Sequence, residues 1–398
     1  MRITSRVGER HDPKGKTVKR IKLIFLTGSL EIGGTERNIL HLASGLDPSQ
    51  YDIEVWCNYR GQPLQAEIER HGVRCVALKE PSVGKHPLIR LLFHNLPYQC
   101  RLWRMLRRAR PDVLHIFGFP MAYYGVLLGR LAGVRNIIFT VQDWDVWKES
   151  VVYRLLDRLS SRLAALVVAD GEGARCLAIQ SQGMPANKVI VVYDGVNVQE
   201  LVPTKSREEV LREIGMDPLR PVAAVIARLD ARKKGQDVFL KAIPAVARAV
   251  PAMQFLLVGG GPDEPELRGL ARGLSPEHRP FFAGFRPDLA NVLNATDVLV
   301  IPSRWESVPK ILLEAMWRRK AVVATRVGDI EEILDSSCGV LVPPDSPEQI
   351  ADALIELGRN AALREQLATA AHGKIERMGL TLPRSVERYD RIYRRLAP

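Results

Sequence analysis

The sequence lacks the marks of several function classes. Its five cysteines (57, 75, 100, 176 and 338) are odd in number and contain no close pair. That argues against a disulfide framework or a zinc ribbon and fits a reducing cytosol. No run approaches the roughly 18 to 20 apolar residues that span a bilayer. The basic N-terminus offers only Ile21–Leu26 as an apolar stretch, interrupted by Lys22, so no secretory leader is expected. The histidines show no metal-ligand spacing, and no Gly-x-Ser-x-Gly elbow occurs. Neither paired Cys/His nor basic residues interleaved with stacking aromatics are present, which argues against nucleic acid as a partner.

What is there suits a large soluble protein. At 398 residues, 46 % of them hydrophobic, the chain is too long for one ordinary core, and two domains are expected. The net charge of +12 is uneven: residues 1–200 carry 28 Lys/Arg against 19 Asp/Glu, and residues 201–398 carry 29 against 26. The basic half should meet something anionic, such as a membrane surface or a phosphorylated acceptor.

Residues 1–20 are polar and basic and read as a disordered tail. Ile21–Thr27 then reads as a buried strand, followed by a glycine loop, Gly33-Gly34-Thr35-Glu36, and a helix. Glycine there lets backbone N–H groups approach a phosphate or sugar. Strands near 53–57, 74–77, 113–117, 136–141, 165–169 and 189–193 continue the pattern, with helices between them. His115, inside one of these runs, reads as a core or cleft-lining residue. A second series starts at Pro221, with strands near 222–227, 253–258, 281–283, 298–301, 321–324 and 339–342. Short apolar runs alternating with helices mean parallel, doubly wound sheets. The expected fold is α/β, with two facing Rossmann-like domains at 21–200 and 201–380, and a last segment, 381–398, whose helix returns to the first domain.

Two carboxylates stand out. Glu306 lies on the loop after the strand at 298–301, and Glu314 about two turns into a helix starting near Val308-Pro309, where proline suits a first turn. Ligands of open α/β sheets bind outside the carboxyl ends of strands, where helix N-termini offer N–H groups to phosphate. The pair suits a ligand bearing sugar hydroxyls and phosphates; spacing alone favours a solvent-facing pair, and the flanking sequence reverses that preference.

The flanking residues resemble family four of the retaining nucleotide-sugar glycosyltransferases, which have the glycosyltransferase-B fold. The resemblance covers nearly all of the chain after residue 20. Glu306 and Glu314, in PSRWESVPKILLEAM, match that family's Glu-seven-residues-Glu motif. Ala227-Arg-Leu-Asp230 with Lys233-Lys-Gly235 is similar to its "GRL…KG" segment, and Asp194-Gly-Val-Asn197 to its domain-ending "NGVD". Gly33 and Gly34 resemble its first-domain glycine loop, and Gly260 and Phe285 fall in segments like those flanking the nucleotide.

The resemblance implies a hexosyltransferase taking a UDP- or GDP-sugar, UDP favoured, to a glycan or lipid-linked acceptor in cell-surface polysaccharide or glycolipid synthesis. Arg228 and Lys234 would stabilise charge growing on the leaving phosphate, and Glu314 would accept both ribose hydroxyls. Glu306, with the N–H groups of Ser307 and Val308, would hold the donor sugar. No cofactor or metal is implied. Two departures stand out: Gln142 occupies a place where a histidine is common, near the reacting carbon, and Met316-Trp-Arg-Arg-Lys320 replaces small residues and glycine. Asp143-Trp-Asp145 mimics a metal motif of another fold and reads as a solvated or acceptor-facing loop. The rival readings are a non-catalytic nucleotide-sugar-binding scaffold and, less favoured, a glycoside hydrolase using the two glutamates.

Between Glu80 and Asp112 the chain has no acidic residue but carries Lys85, Arg90, Arg101, Arg104, Arg107, Arg108 and Arg110. Leu102, Met105, Leu106 and Ala109 recur at helical spacing beside them. This segment is expected either to lie on an anionic membrane, at the inner face of the cell, or to be a solvated basic face with its apolar stripe in the core.

Overall fold

The computed structural model describes residues 19–78, 96–118, 121–141 and 150–397. Gln142, Asp143, Asp145, Lys85, Arg90 and nearly all of the N-terminal tail lie outside them.

The Val-, Ile- and Leu-rich runs form thirteen strands among the described residues, in two all-parallel sheets. The first contains β1 (Ile21–Thr27), β2 (Tyr51–Cys57), β3 (Arg74–Ala77), β4 (Val113–Phe117), β5 (Ile137–Val141), β6 (Leu166–Ala169) and β7 (Val189–Val191), in the order 3-2-1-4-5-6-7. The second contains β8 (Val222–Ile226), β9 (Gln254–Val258), β10 (Phe281–Phe282), β11 (Val298–Ile301), β12 (Ala321–Thr325) and β13 (Val340–Val342), in the order 10-9-8-11-12-13. β4, β5 and β11 are buried at every residue, as strands covered by helices on both faces must be. Strand order reverses between β1 and β4 and again between β8 and β11, the positions at which such sheets open a crevice.

The chain passes between the domains twice, and the two passages touch. Val196 bridges Thr381 in parallel, with Val196 N–H donating to the Leu380 carbonyl at 3.0 Å and Leu382 N–H to that of Val196 at 2.9 Å. The last helix, Leu382–Leu396, lies against the first sheet, where Val386, Tyr389 and Tyr393 join the core of β1, β2 and β4.

His115 on β4 is fully buried beneath this helix. Its Nδ1 shares a hydrogen bond with the Tyr393 hydroxyl (2.7 Å) and its Nε2 one with the Thr140 hydroxyl (2.8 Å). Burial pushes its pKa down to about 3. An unfolded histidine titrates near about 6.5, so below that pH the unfolded chain binds a proton that the folded chain refuses. The stability this neutral ring contributes is whole above pH ~6.5 and is lost at about 1.4 kcal/mol per pH unit down to the folded pKa. Denaturant unfolding should show about 2 kcal/mol less stability at pH 5 than at pH 7.5 from this group, and His115→Gln should remove that share of the slope. An identical slope in the variant would show that His115 does not carry it.

Helix Leu96–Ala109 resolves the alternatives for the basic segment. Tyr98, Leu102 and Leu106 are buried, Met105 and Ala109 pack behind them, and Arg101, Arg104, Arg107 and Arg108 face water. The apolar stripe is core, and the outward face beside it is rich in arginine.

Candidate active site

The loop carrying Glu306 leaves β11 at the switch point of the second sheet. It is fixed from several sides. The Thr325 hydroxyl donates to the Ser303 carbonyl (2.5 Å), and Arg304 N–H donates to the Lys233 carbonyl (2.8 Å). The Arg304 guanidinium reaches both Asp237 carboxylate oxygens at 2.9 Å and Asp345 at 2.7 Å. Burial would raise the Asp237 pKa, but the hydrogen bonds and charges of Arg304 and Lys241 together more than offset it and leave it lowered. Two glycines press on the loop's backbone: Gly235 (φ 64°) against the Pro302 carbonyl and Gly328 (φ 55°) against that of Glu306. A Cβ at either would collide with those oxygens, and both sit in the left-handed region that side chains avoid. The loop is thereby held rigidly between β8 and β12.

Pro309 caps helix Lys310–Trp317 rather than entering its first turn, so Glu314 sits little more than one turn in, not two. Pro309 makes no side-chain cap hydrogen bond here, and the first N–H groups of a helix point out along its axis.

A cleft of about 340 Å³ is lined by Arg228, Lys234, Glu306, Ser307 and Val308 of the second domain and by Gly34 of the first. The Lys234 ammonium ion-pairs with the Glu306 carboxylate, which also accepts from Ser303 Oγ at 2.8 Å. Arg228, directly beyond β8, is exposed, and among the described residues no side chain engages its guanidinium. Ser307 donates to Asp170 of the first domain (2.6 Å) and also meets Asp329 (3.2 Å).

Phe285 and Glu314 line a second cavity, of about 450 Å³, beside the crossing of the chain. Arg37, His41 and Glu200 face them from the other wall. Burial raises the Glu314 pKa, and the charges of Arg37 and Lys310 only partly counter this.

Two of the residues expected at the site differ in role. Gly33 is the N-cap of helix Gly34–Gly45, and it is Gly34 that faces the cleft. Gly260 lines neither cavity and has open space where a Cβ would sit; the crowded positions are Gly259 and Gly261, against the carbonyls of Ala227 and Leu229. The Met316–Lys320 departure lies behind the site: Arg319 adopts φ 54°, and burial lowers the Lys320 pKa to about 8.

Lys310 lines both cavities and is the residue that sequence reasoning missed. Its ammonium pairs with Asp194 Oδ2 at 3.2 Å, and its stem lies 3.9 Å from where a Cβ on Gly34 would be. Its place between the two glutamates, one turn before Glu314, was the available signal. Among the described residues, no group of three His, Cys, Asp or Glu is placed to hold a metal ion. The arrangement offers an anion the Arg228 guanidinium and the ammonium groups of Lys233, Lys234 and Lys310, and offers hydroxyls Glu306 in one cavity and Glu314 in the other.

Known proteins share this architecture. Residues 220–360 match the family described as "Glycosyl transferases group 1", and residues 33–195 match "Glycosyl transferase 4-like domain". D-inositol 3-phosphate glycosyltransferase of Corynebacterium diphtheriae is 31 % identical over 377 residues, 86 % of each chain. The chain belongs to the group 1 glycosyltransferases. This glycosyltransferase is also 24 % identical over 308 residues to UDP-Gal:alpha-D-GlcNAc-diphosphoundecaprenol alpha-1,3-galactosyltransferase of Escherichia coli, covering 75 % of this chain and 78 % of that one. Anabaena HepE, solved in complex with UDP-glucose, superposes with a TM-score of 0.78 at 19 % identity, over 94 % of this chain and 99 % of that one. The fold is therefore the two-domain glycosyltransferase-B fold, and the enzyme class is hexosyltransferase.

Proposed function

We propose that the enzyme moves a sugar, with retention of anomeric configuration, from a UDP- or GDP-sugar to a glycan or lipid-linked acceptor of a cell-surface polysaccharide or glycolipid. One observation carries this reading: Arg228, Lys234 and Glu306 surround one cleft, which Lys310 joins to the cavity holding Glu314. In transfer, the bond from the anomeric carbon to the diphosphate breaks and the diphosphate leaves with the electron pair. The acceptor oxygen bonds that carbon on the same face, and its proton passes to a leaving phosphate oxygen. Arg228 and Lys234 face the region where negative charge grows, without needing a metal ion for that task. Glu306 takes donor-sugar hydroxyls, and Glu314 the ribose diol. The uridine donor is favoured by the wording of the Escherichia coli relative's name. A glycoside hydrolase would set two carboxylates across one glycosidic bond. Here they line separate cavities, and Glu306 is engaged by Lys234.

Thermal shift with UDP, GDP and ADP, in EDTA, tests the reading. A nucleotide at about 100 times its dissociation constant adds about 2.7 kcal/mol of stability. UDP or GDP should raise the melting temperature clearly, and slow hydrolysis of the matching sugar nucleotide should follow. No shift with any nucleotide would sink the donor assignment. A shift without hydrolysis or transfer would leave the scaffold reading standing.

A further inference from the structure

Helix Val151–Leu163 is turned inside out. Its inward face is Tyr153, Asp157, Ser160 and Ser161, at 8, 5, 4 and 0 % exposure. Its outward face carries Val151, Val152, Leu155 and Leu159, at 61, 42, 58 and 51 %. This orientation is locked. The Tyr153 ring stacks on Tyr123 with centroids 6.3 Å apart, and Asp157 hydrogen-bonds Tyr123. At the other end, Lys188 Nζ donates to the carbonyls of Arg162 and Ala164 at 2.7 Å, and Arg130 to that of Leu163. Rotating the helix to bury its leucines would break all of these.

The remaining exposed residues of the helix are Arg154, Arg158 and Arg162. Its one acid, Asp157, is the buried partner of Tyr123. The neighbouring helix Met121–Leu131 continues the apolar surface with Leu127 (45 %) and Leu131 (63 %). Beyond it, helix Leu96–Ala109 presents its four outward arginines. An exposed apolar row of this length on one face marks an interaction site. Guanidinium groups interleaved with Val and Leu, and no exposed carboxylate on the helix, complement one surface in particular: lipid phosphates above acyl chains. The helix begins beyond the carboxyl end of β5, on the side of the sheet where the cleft opens.

We propose that the face made by Val151, Val152, Leu155 and Leu159 with Arg154, Arg158 and Arg162 docks this chain on an anionic lipid bilayer. The docked helix lies in the interface plane, with its leucines in the acyl boundary and its arginines at the phosphates. Among the described residues no helix is long and apolar enough to cross a membrane, so attachment through this face is peripheral. Docking through this face does not depend on which sugar the cleft takes.

Vesicle co-sedimentation of the full chain, without nucleotide, tests it independently of the donor site. The probes are phosphatidylcholine vesicles with and without phosphatidylglycerol, at low and high salt. The chain should prefer the anionic vesicles and lose part of its binding in high salt. Leu155→Ser with Leu159→Ser should weaken binding at least about tenfold, since each buried methylene adds to the affinity. Arg154→Gln with Arg162→Gln should cost about fivefold per arginine and blunt the salt dependence. All four side chains are largely exposed, so melting temperatures should match the parent. Equal binding to neutral and anionic vesicles, or unchanged binding in both double variants, would overturn the proposal. So would a concentration-dependent dimer that disappears in the leucine variant, which would identify a second copy as the occupant.

Discussion

Arg228→Ala should lower turnover by about 10²- to 10³-fold at saturating donor, the scale of one lost donor to a developing oxyanion. The expected loss follows from its free guanidinium. Among the described residues no side chain engages it, it is exposed, and it stands at the mouth of the cleft beyond β8. Nothing in the fold depends on it, so the melting temperature of the free enzyme should not change. Its effect should appear where charge grows. The leaving diphosphate gains negative charge as the anomeric bond breaks, so an arginine facing it stabilises the transition state more than the bound donor. Free nucleoside diphosphate should also bind more weakly, because the cleaved product carries that full charge.

Lys234→Ala should behave differently in one respect. Its ammonium is the ion-pair partner of Glu306, whose side chain is only 6 % exposed. Removing it leaves a nearly buried carboxylate with Ser303 and no cation, so stability should fall together with turnover. Arg228→Ala with turnover within about threefold of the parent would mean that the charge clamp lies elsewhere, since a lost transition-state donor costs far more. EDTA in the assay should leave the parent's turnover unchanged. Turnover abolished by EDTA and restored by manganese would move the search to Asp143 and Asp145.

Much of this architecture was legible because its signal is local. Strand runs such as Ile21–Thr27, Val113–Phe117 and Val298–Ile301 are as apolar in sequence as they are buried in the fold. Arg228 and Glu306 could be placed together because each follows a strand that flanks a switch point. What escaped is set by contacts distant in sequence. The fixing of the Glu306 loop between Gly235 and Gly328 requires knowing that β8, β11 and β12 are neighbours. Lys310 gains its meaning from Asp194 and Gly34, both in the first half of the chain. Helix Val151–Leu163 is the sharpest case. Its leucine spacing points to a core face, yet the hydrogen bond between Asp157 and Tyr123 turns that face to water.

Glu314→Ala should raise the Michaelis constant for the donor roughly 10- to 100-fold while turnover stays within about threefold. Glu314 lines the second cavity, away from the cleft of Arg228 and Glu306, so it meets a part of the donor that does not react. A carboxylate accepting two ribose hydroxyls holds them equally before and during bond breaking, and such uniform binding appears in the Michaelis constant alone. A charge-assisted hydrogen bond contributes about 1.5 to 3 kcal/mol, which sets the range. The pH dependence carries a second signature. Burial raises the Glu314 pKa despite the pull of Arg37 and Lys310, so the carboxylate is lost at a higher pH than an ordinary glutamate would lose it. As pH falls toward that raised value the ring of acceptors is halved, and the donor's Michaelis constant should climb. Glu314→Gln keeps the volume but has a single acceptor oxygen and no titration. It should start from an already raised Michaelis constant and show no such climb. If Glu314→Ala instead collapsed turnover and left the Michaelis constant unchanged, Glu314 would belong with the reacting bond, and the two cavities would have to exchange their roles.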